Sequence, residues 1–536
     1  MMKRVLTAVL ALVLVFGFAG CGRGKTNSDY DYLFERDEGD LYVRYFEGGN
    51  GAEWLYEITH NFVQETGIGV YLESDNSVTS EIPTLLKNAH PSNGKPSATI
   101  LNKLPDVVMT QTLKWQGYVN KGYISEIDDV YSYVYEDEDD KTLSDKLIDE
   151  AAQFGYMGQT PSSADKHYWV VPWTSPLTGI VYNVDMLKSL GGKWADGYTP
   201  KTVTELLELV ADLKAAGKTA FAWGGDGTNM GYWNFLFMSL WCSYQGYDES
   251  FEDGVAKYGD LKDFYNFVDN AGNPDSGYES FNQAGRKIAL QVLRDLIVDE
   301  ANSTWTNSIK DPVSKTVYEA QEKFAFGEAA MMPNGSWIQN EIDELIDENF
   351  HYAMMPVPAV DYAYVSSVAS KLGLESKEIH GGLLKDGGFE TASTQSPEYA
   401  VVNNTEIGDL MFIPENAVHK ENAKKFLIYL NKQENVMKAT ESMSIARPFD
   451  YSPSEAEGLT DFTKSVFSVY ENPDALQIVR SSTSNIFMYA GIKEWAENNE
   501  ADILLQLYGK TANELVTTVY NNAMDNFDKW KELAEV

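Results

Sequence analysis

Short apolar runs of strand length alternate with longer amphipathic stripes along nearly the whole chain, and this alternation limits the fold more than any other feature. Residues 41–74, LYVRYFEGGNGAEWLYEITHNFVQETGIGVYLES, read as a strand, a Gly-rich loop, an amphipathic helix, a turn at Gly67 and a second strand. After an insertion carrying Pro91, Gly94 and Pro96, the segment LPDVVMTQTLKWQGYVNKGYISEID repeats the scheme. In YTPKTVTELLELVADLKAAGKTAFAWGG the spacing predicts a helix capped by Thr202 and stopped by Gly217. Its inward stripe is Val203, Leu206, Leu207, Val210, Ala211 and Leu213. The C-terminal stretch ADILLQLYGKTANELVTTVYNNAMDNFDKW gives two more amphipathic helices, and no internal repeat is found. Strands that alternate with helices in this way build α/β lobes with largely parallel sheets.

The chain has 536 residues, more than one hydrophobic core usually serves, so two or more lobes are expected. Its formal charge of −38, from 80 acidic against 42 basic residues, argues against a phosphate-backbone partner, and no nucleic acid is expected. At the N-terminus Lys3-Arg4 precede an apolar run from Val5 to Ala19, too short for a comfortable membrane span but suited to a secretion signal. The run ends Phe18-Ala19-Gly20-Cys21, a pattern that resembles a bacterial lipoprotein signal. That resemblance implies removal of residues 1–20 and acylation of Cys21, whose lipid chains hold the protein to the outer face of a membrane. Residues 21–39 are polar and read as the tether. Of the 2 cysteines, Cys242 is then left without a partner, and its setting LFMSLWCSYQGY marks it as a small core residue rather than a nucleophile.

The segment FAFGEAAMMPNGSWIQNEI, residues 324–342, places a tryptophan at a telling corner. Ala329 to Pro333 reads as a buried strand ended by Pro, and Ser336 with Gln339 forms a capping-box pattern that opens a helix with Trp337 in its first turn. In open α/β sheets ligands lie beyond the carboxyl ends of the strands, beside helix N-termini. Trp337 therefore stands at a cleft edge; the competing reading is that its indole covers a lobe core.

Several segments, taken in order, resemble the extracellular solute-binding proteins of ABC importers, family 1, the maltose-binding-protein-like group. They are NFVQETGIGVYLE, LPDVVMTQTLKWQGYVNKGYI, VVPWTSPLTGIVYNVDML, TPKTVTELLELVADLKAAGK, FGEAAMMPNGSW, IPENAVHKENAKKFLIYLNKQENVMKA with SIARP, and LYGKTANELVTTVYNNA. The resemblance implies a two-lobed periplasmic-binding-protein-like α/β fold of type II. Each lobe is a mostly parallel sheet flanked by helices, with hinge crossings near Tyr168–Pro176 and Ile407–Pro414. Lobe 1 then comprises residues 40–172 with 407–450, and lobe 2 residues 173–406 with 451–536. The chain is longer than a typical member, with extra material near 130–165, 245–280 and 360–405.

A sugar offers an apolar ring face and a rim of hydroxyls, so its site calls for aromatic plates with amide or charged groups beside them. The loops expected to face the cleft supply both: Glu47, Asn50 and Trp54; Thr110 and Gln111; Trp173; then Trp223, Asp226, Asn229 and Trp233; and Trp337. Arg447 in SIARP and Tyr489 in NIFMYAG enter through the resemblance alone. Trp54 and Trp233 lie in helical stripes and read equally as core, whereas Trp173, Trp223 and Trp337 adjoin Pro or Gly at element ends. The expected ligand is an oligosaccharide or glycoside, passed by a monomeric, lipid-anchored carrier to the permease subunits of an ABC transporter. No cofactor or metal is expected: the acidic stretches at 136–140 and 269–275 lack EF-hand spacing and read as solvated surface. Two rivals are an exported glycoside hydrolase, which needs two carboxylates across one bond, and a glycan-binding surface protein without a transporter. Against an enzyme, none of the 6 histidines forms HExxH and no GxSxG elbow occurs.

Overall fold

The computed structural model of the chain describes residues 28–37, 39–75, 77–90, 95–111, 113, 115–148, 151, 156–157, 167–224, 232–245, 278–279, 281–299, 304–305, 316–382, 384, 398–399, 401–407, 409–473, 475–481, 506–507 and 509–534. Two sheets organise them, and their strands are numbered here in chain order. The first sheet uses β1 (Leu41–Tyr45), β2 (Val70–Ser74), β3 (Val107–Thr110), β4 (Val170–Pro172) and β10 (Leu410–Phe412), in the order β2-β1-β3-β10-β4. The second uses β5 (Leu177–Asn183), β6 (Thr219–Phe221), β7 (Ala329–Gly335), β8 (Tyr352–Met355), β9 (Val401–Ile407) and β11 (Ala475–Ser481). Its order is β6-β7-β5-β9-β11, with β8 also on β5.

The result is the two-lobed α/β fold that the alternation implies. Each sheet, however, is mixed rather than mostly parallel. β1 runs parallel to β2 and β3, but β10 is antiparallel to both β3 and β4. In the second sheet β7 is parallel to β6 and β9 to β11, while β5 opposes β7, β8 and β9. The antiparallel strands are those that carry the chain between lobes. It leaves the first sheet at Pro172 and enters the second at Leu177, and it returns between Ile407 and Leu410.

Lobe 1 has one continuous apolar core drawn from both of its chain segments, including Val43, Leu55, Ile58, Phe62, Val108, Phe412, Phe426 and Leu430. Lobe 2 has apolar clusters on both faces of its sheet. β5 shows why: Ile180 faces one cluster, whereas Leu177 and Val181 face the other, as a period of two requires. The helix Val203–Ala215 forms where expected, with the Thr202 hydroxyl accepting from Glu205 N and Gly217 at φ +71°. Its buried stripe turns toward Leu209, leaving Leu207 half-buried and Ala211 exposed. Cys242 lies fully buried in the helix Trp233–Gln245.

Two local expectations are corrected. Residues Ser28–Phe34, polar enough to read as tether, form a 3-10 helix whose Leu33 is buried in lobe 1. Pro333 does not end β7, which runs on to Gly335 along β5. Ser336 N donates to Leu177 O on β5 and Met331 O accepts from Ala222 N beside β6, so Pro333 N faces the β6 side; β6 stops at Phe221, opposite Met331, and the missing N–H breaks no ladder. Of the expected insertions, residues 246–277 and 385–397 lie outside the described part, as do Cys21 and the preceding signal. Among the described residues no helix is long and apolar enough to cross a membrane.

Candidate functional site

The lobes meet where the loop after β1 faces the corner after β7. The loop turns tightly at Gly48–Asn50, and Gly48 adopts φ +49° with its missing side chain leaving room for the Phe46 ring. A Cβ on Gly49 would lie 3.2 Å from Trp337 Cβ and 3.1 Å from Glu341 Oε1. Bare backbone there lets the two lobes touch.

Trp337 occupies the strand-to-helix corner that its sequence context implies, but not through a capping box. The helix spans Ile338–Ile342 with Trp337 at its N-cap position and no side-chain cap. Ser336 spends its N–H on Leu177 O (2.9 Å). The Gln339 carboxamide accepts from Thr463 (2.9 Å) and Thr460 and donates to Ser444 Oγ (2.9 Å). Tertiary partners have outbid the local cap. The indole is half-buried; it packs against the lobe 1 core although its backbone belongs to lobe 2. It meets Tyr232 edge-on at 5.6 Å and Phe235 at 5.7 Å. These three rings form the aromatic lining of the seam.

Polar groups stand on the lobe 1 side. The Glu47 carboxylate accepts from Ser74 Oγ (2.9 Å), and burial pushes its pKa above the ordinary range. Asn50 Nδ2 donates to Asp409 Oδ2 (3.1 Å), which also accepts from Thr174 Oγ1 (2.7 Å), while Asp409 O accepts from Trp173 N (3.1 Å). One carboxylate thus ties the seam loop to the crossings at Thr174 and Asp409. Thr110 is buried at the end of β3 and pairs with Leu410, and Gln111 follows it into solvent.

The other expected indoles pack inside the lobes. Trp54 and Trp173 lie against each other in lobe 1 at 5.7 Å and 33°, each almost fully buried, with no partner for either indole N–H among the described residues. They stand just behind Asn50 and the crossing. Trp223 stacks on Phe221 at 5.0 Å and Trp233 meets Phe237 edge-on at 5.8 Å, both in the lobe 2 core. Arg447 is fully buried: Nη2 donates to Asn431 Oδ1 (2.8 Å) and Nη1 to Leu430 O (3.3 Å), and burial pushes its pKa down to about 10. It has been spent on lobe 1 and not on the seam. Asp226, Asn229, Tyr489 and Cys21 lie outside the described residues.

The structure therefore gathers Glu47, Asn50 and Trp337 at the seam, with Trp54 and Trp173 behind them, and separates Trp223, Trp233 and Arg447 from it. Sequence reasoning missed Tyr232 and Phe235. Helical spacing holds the signal: Phe235, two residues past Trp233, lies across the helix from the stripe Trp233, Phe237, Trp241 and Tyr244, and Tyr232 precedes its first turn.

A two-lobed α/β body with an aromatic and polar seam suits capture of a small solute by hinge closure. A family model described as bacterial extracellular solute-binding protein matches residues 95–437. The chain belongs to the bacterial extracellular solute-binding protein family, whose members bind a solute for transport.

Proposed function

We propose that the chain captures an oligosaccharide or glycoside between its lobes and delivers it to the permease of an ABC importer. The observation that supports this most is Trp337, a half-buried indole at the lobe junction with Tyr232 and Phe235 around it. A sugar ring face stacks on such a surface, and Glu47, Asn50, Thr110 and Gln111 are the partners this reading assigns to its hydroxyls. The buried N–H groups of Trp54 and Trp173 are donors that a ligand or water oxygen would satisfy. Trp223 and Trp233 brace the lobe 2 wall from within. Asp226 and Tyr489 remain contacts proposed on sequence grounds alone.

In this reading residues 40–172 with 407–450 form one jaw and residues 173–406 with 451–536 the other, with the Trp173 ring at the boundary packed into the first. Because ligand touches both jaws only when they are closed, binding shifts the open–closed equilibrium by its differential affinity. Cys21, acylated after loss of residues 1–20, would hold the carrier at the outer face of the membrane, where the permease reads the closed shape. Isothermal titration against an oligosaccharide panel, with peptides as controls, tests the assignment. Heat with at least one sugar, returned chemically unchanged after long incubation, is expected. Silence toward every sugar together with tight peptide binding would remove it, and cleavage products would favour a hydrolase.

A further inference from the structure

The short helix Ile338–Ile342 of lobe 2 makes a compact set of contacts across the seam. Asn340 Nδ2 donates to Gly49 O (2.9 Å) and to Met443 O (3.2 Å), both in lobe 1, and Gln339 Nε2 donates to Ser444 Oγ (2.9 Å). Ser444 is held at φ +58°, a left-handed conformation uncommon for a residue with a side chain, at the end of the helix Gln433–Met443. Next to these bonds the Glu341 carboxyl lies beside Gly49, where an added Cβ would fall 3.1 Å from its Oε1, and it accepts a hydrogen bond from Gln321 Nε2.

We infer that Gln339, Asn340 and Glu341 form a proton-linked latch: uptake of one proton by the Glu341 carboxyl favours the closed arrangement of the lobes. Its consequence for ligand release rests on the interlobe binding proposed above, but the latch itself needs no ligand.

Among the described residues, the groups that meet Glu341 are uncharged. From the helix Val317–Ala325 it meets the Gln321 amide, and from the seam loop it lies beside Gly49. The loop's own carboxylate, Glu47, is turned to Ser74, Asp343 just past the helix is exposed, and among the described residues no ion pair holds Glu341. Burial pushes its pKa up to about 7, with the Gln321 amide pulling the other way.

When the lobes part, Gly49 withdraws and water reaches the carboxyl, returning it toward the ordinary carboxylate range. The closed form therefore binds the proton more tightly. Closure gains its full benefit below the ordinary carboxylate pKa, loses it as pH rises toward about 7, and has none above that. Within this window the closed-to-open ratio changes by up to about tenfold per pH unit for one proton. A ligand held between the lobes is gripped more firmly in acid and released more readily as the medium turns neutral.

Small-angle scattering of the ligand-free full chain across this pH range, with folding checked by circular dichroism, provides the test. The radius of gyration should rise as pH climbs through the window. Glu341→Gln, a neutral mimic of the protonated acid, should stay compact throughout. Asn340→Ala, which loses the bonds to Gly49 O and Met443 O, should be expanded at every pH, and it keeps the test decisive should Glu341→Gln not fold. A wild-type radius independent of pH, the same pH step in Glu341→Gln, or a fully preserved step in Asn340→Ala would overturn the latch. Failure of every sugar to bind would leave these scattering results untouched and count against the carbohydrate reading alone.

Discussion

Replacing Trp337 with Ala is the perturbation that most sharply separates a ligand surface from a packing residue. Two edge-on aromatic contacts, with Tyr232 and Phe235, are lost. At about 0.5–1.5 kcal/mol each they contribute about 1–3 kcal/mol to the seam. Because the indole is half-buried, its lost area adds only about 1–2 kcal/mol. Trp337 flanks the lobe 1 core without belonging to it, so the variant is expected to fold, with a denaturation midpoint lowered by an amount consistent with these terms. Ligand loses a stacking plate as well, and a central aromatic anchor carries about 2 kcal/mol or more of binding, roughly a 30-fold rise in Kd. Titration calorimetry with the sugar identified in the panel reads this directly. Trp337→Phe, which keeps a ring, should recover most of it. Gly335→Ala should mimic the loss, since an added methyl would overlap the indole and displace it. A Kd within about twofold of wild type in folded Trp337→Ala would refute the reasoning and return Trp337 to packing.

Other outcomes follow from single contacts. Arg447→Ala removes the donors to Leu430 O and Asn431 Oδ1 and leaves a cavity in lobe 1; it should cost about 2–4 kcal/mol in denaturant unfolding while the folded variant keeps its ligand Kd. Asp409→Ala unties the seam loop from the crossings at 174 and 409, losing charge-assisted bonds to Asn50 and Thr174; about 2–4 kcal/mol of stability should go, and Kd should weaken with it. Cys242, whose thiol pKa burial pushes well above its ordinary value, should resist iodoacetamide in the native protein and react only once denaturant unfolds the helix around it.

What was legible in the sequence was local chemistry. Thr202 and Gly217 bound their helix because a cap hydroxyl and a left-handed glycine act within a few residues of themselves. Trp337 at its corner was legible for a similar reason, since Asn334-Gly335-Ser336 must turn the chain somewhere close by. The cap at Ser336 was not, because Gln339 found Thr460, Thr463 and Ser444, residues more than a hundred positions away, and no local rule anticipates such competitors. The continuation of β7 through Pro333 likewise depends on where β6 happens to stop. Arg447 shows the same limit from the other side. A motif borrowed through resemblance carries a residue type but not its partners, and here Leu430 and Asn431 claim the guanidinium. For Trp54 and Trp233 the helical stripe was the better guide than the appeal of an indole near a loop, because a stripe reports which face meets the core.

Hydrogen exchange read by mass spectrometry, with and without the bound oligosaccharide, tests the central claim most directly. Ligand held between the lobes should slow exchange in two peptides at once, one covering residues 46–50 of lobe 1 and one covering residues 334–341 of lobe 2. Protection confined to one of these peptides, or appearing elsewhere with both unchanged, would contradict binding at the seam.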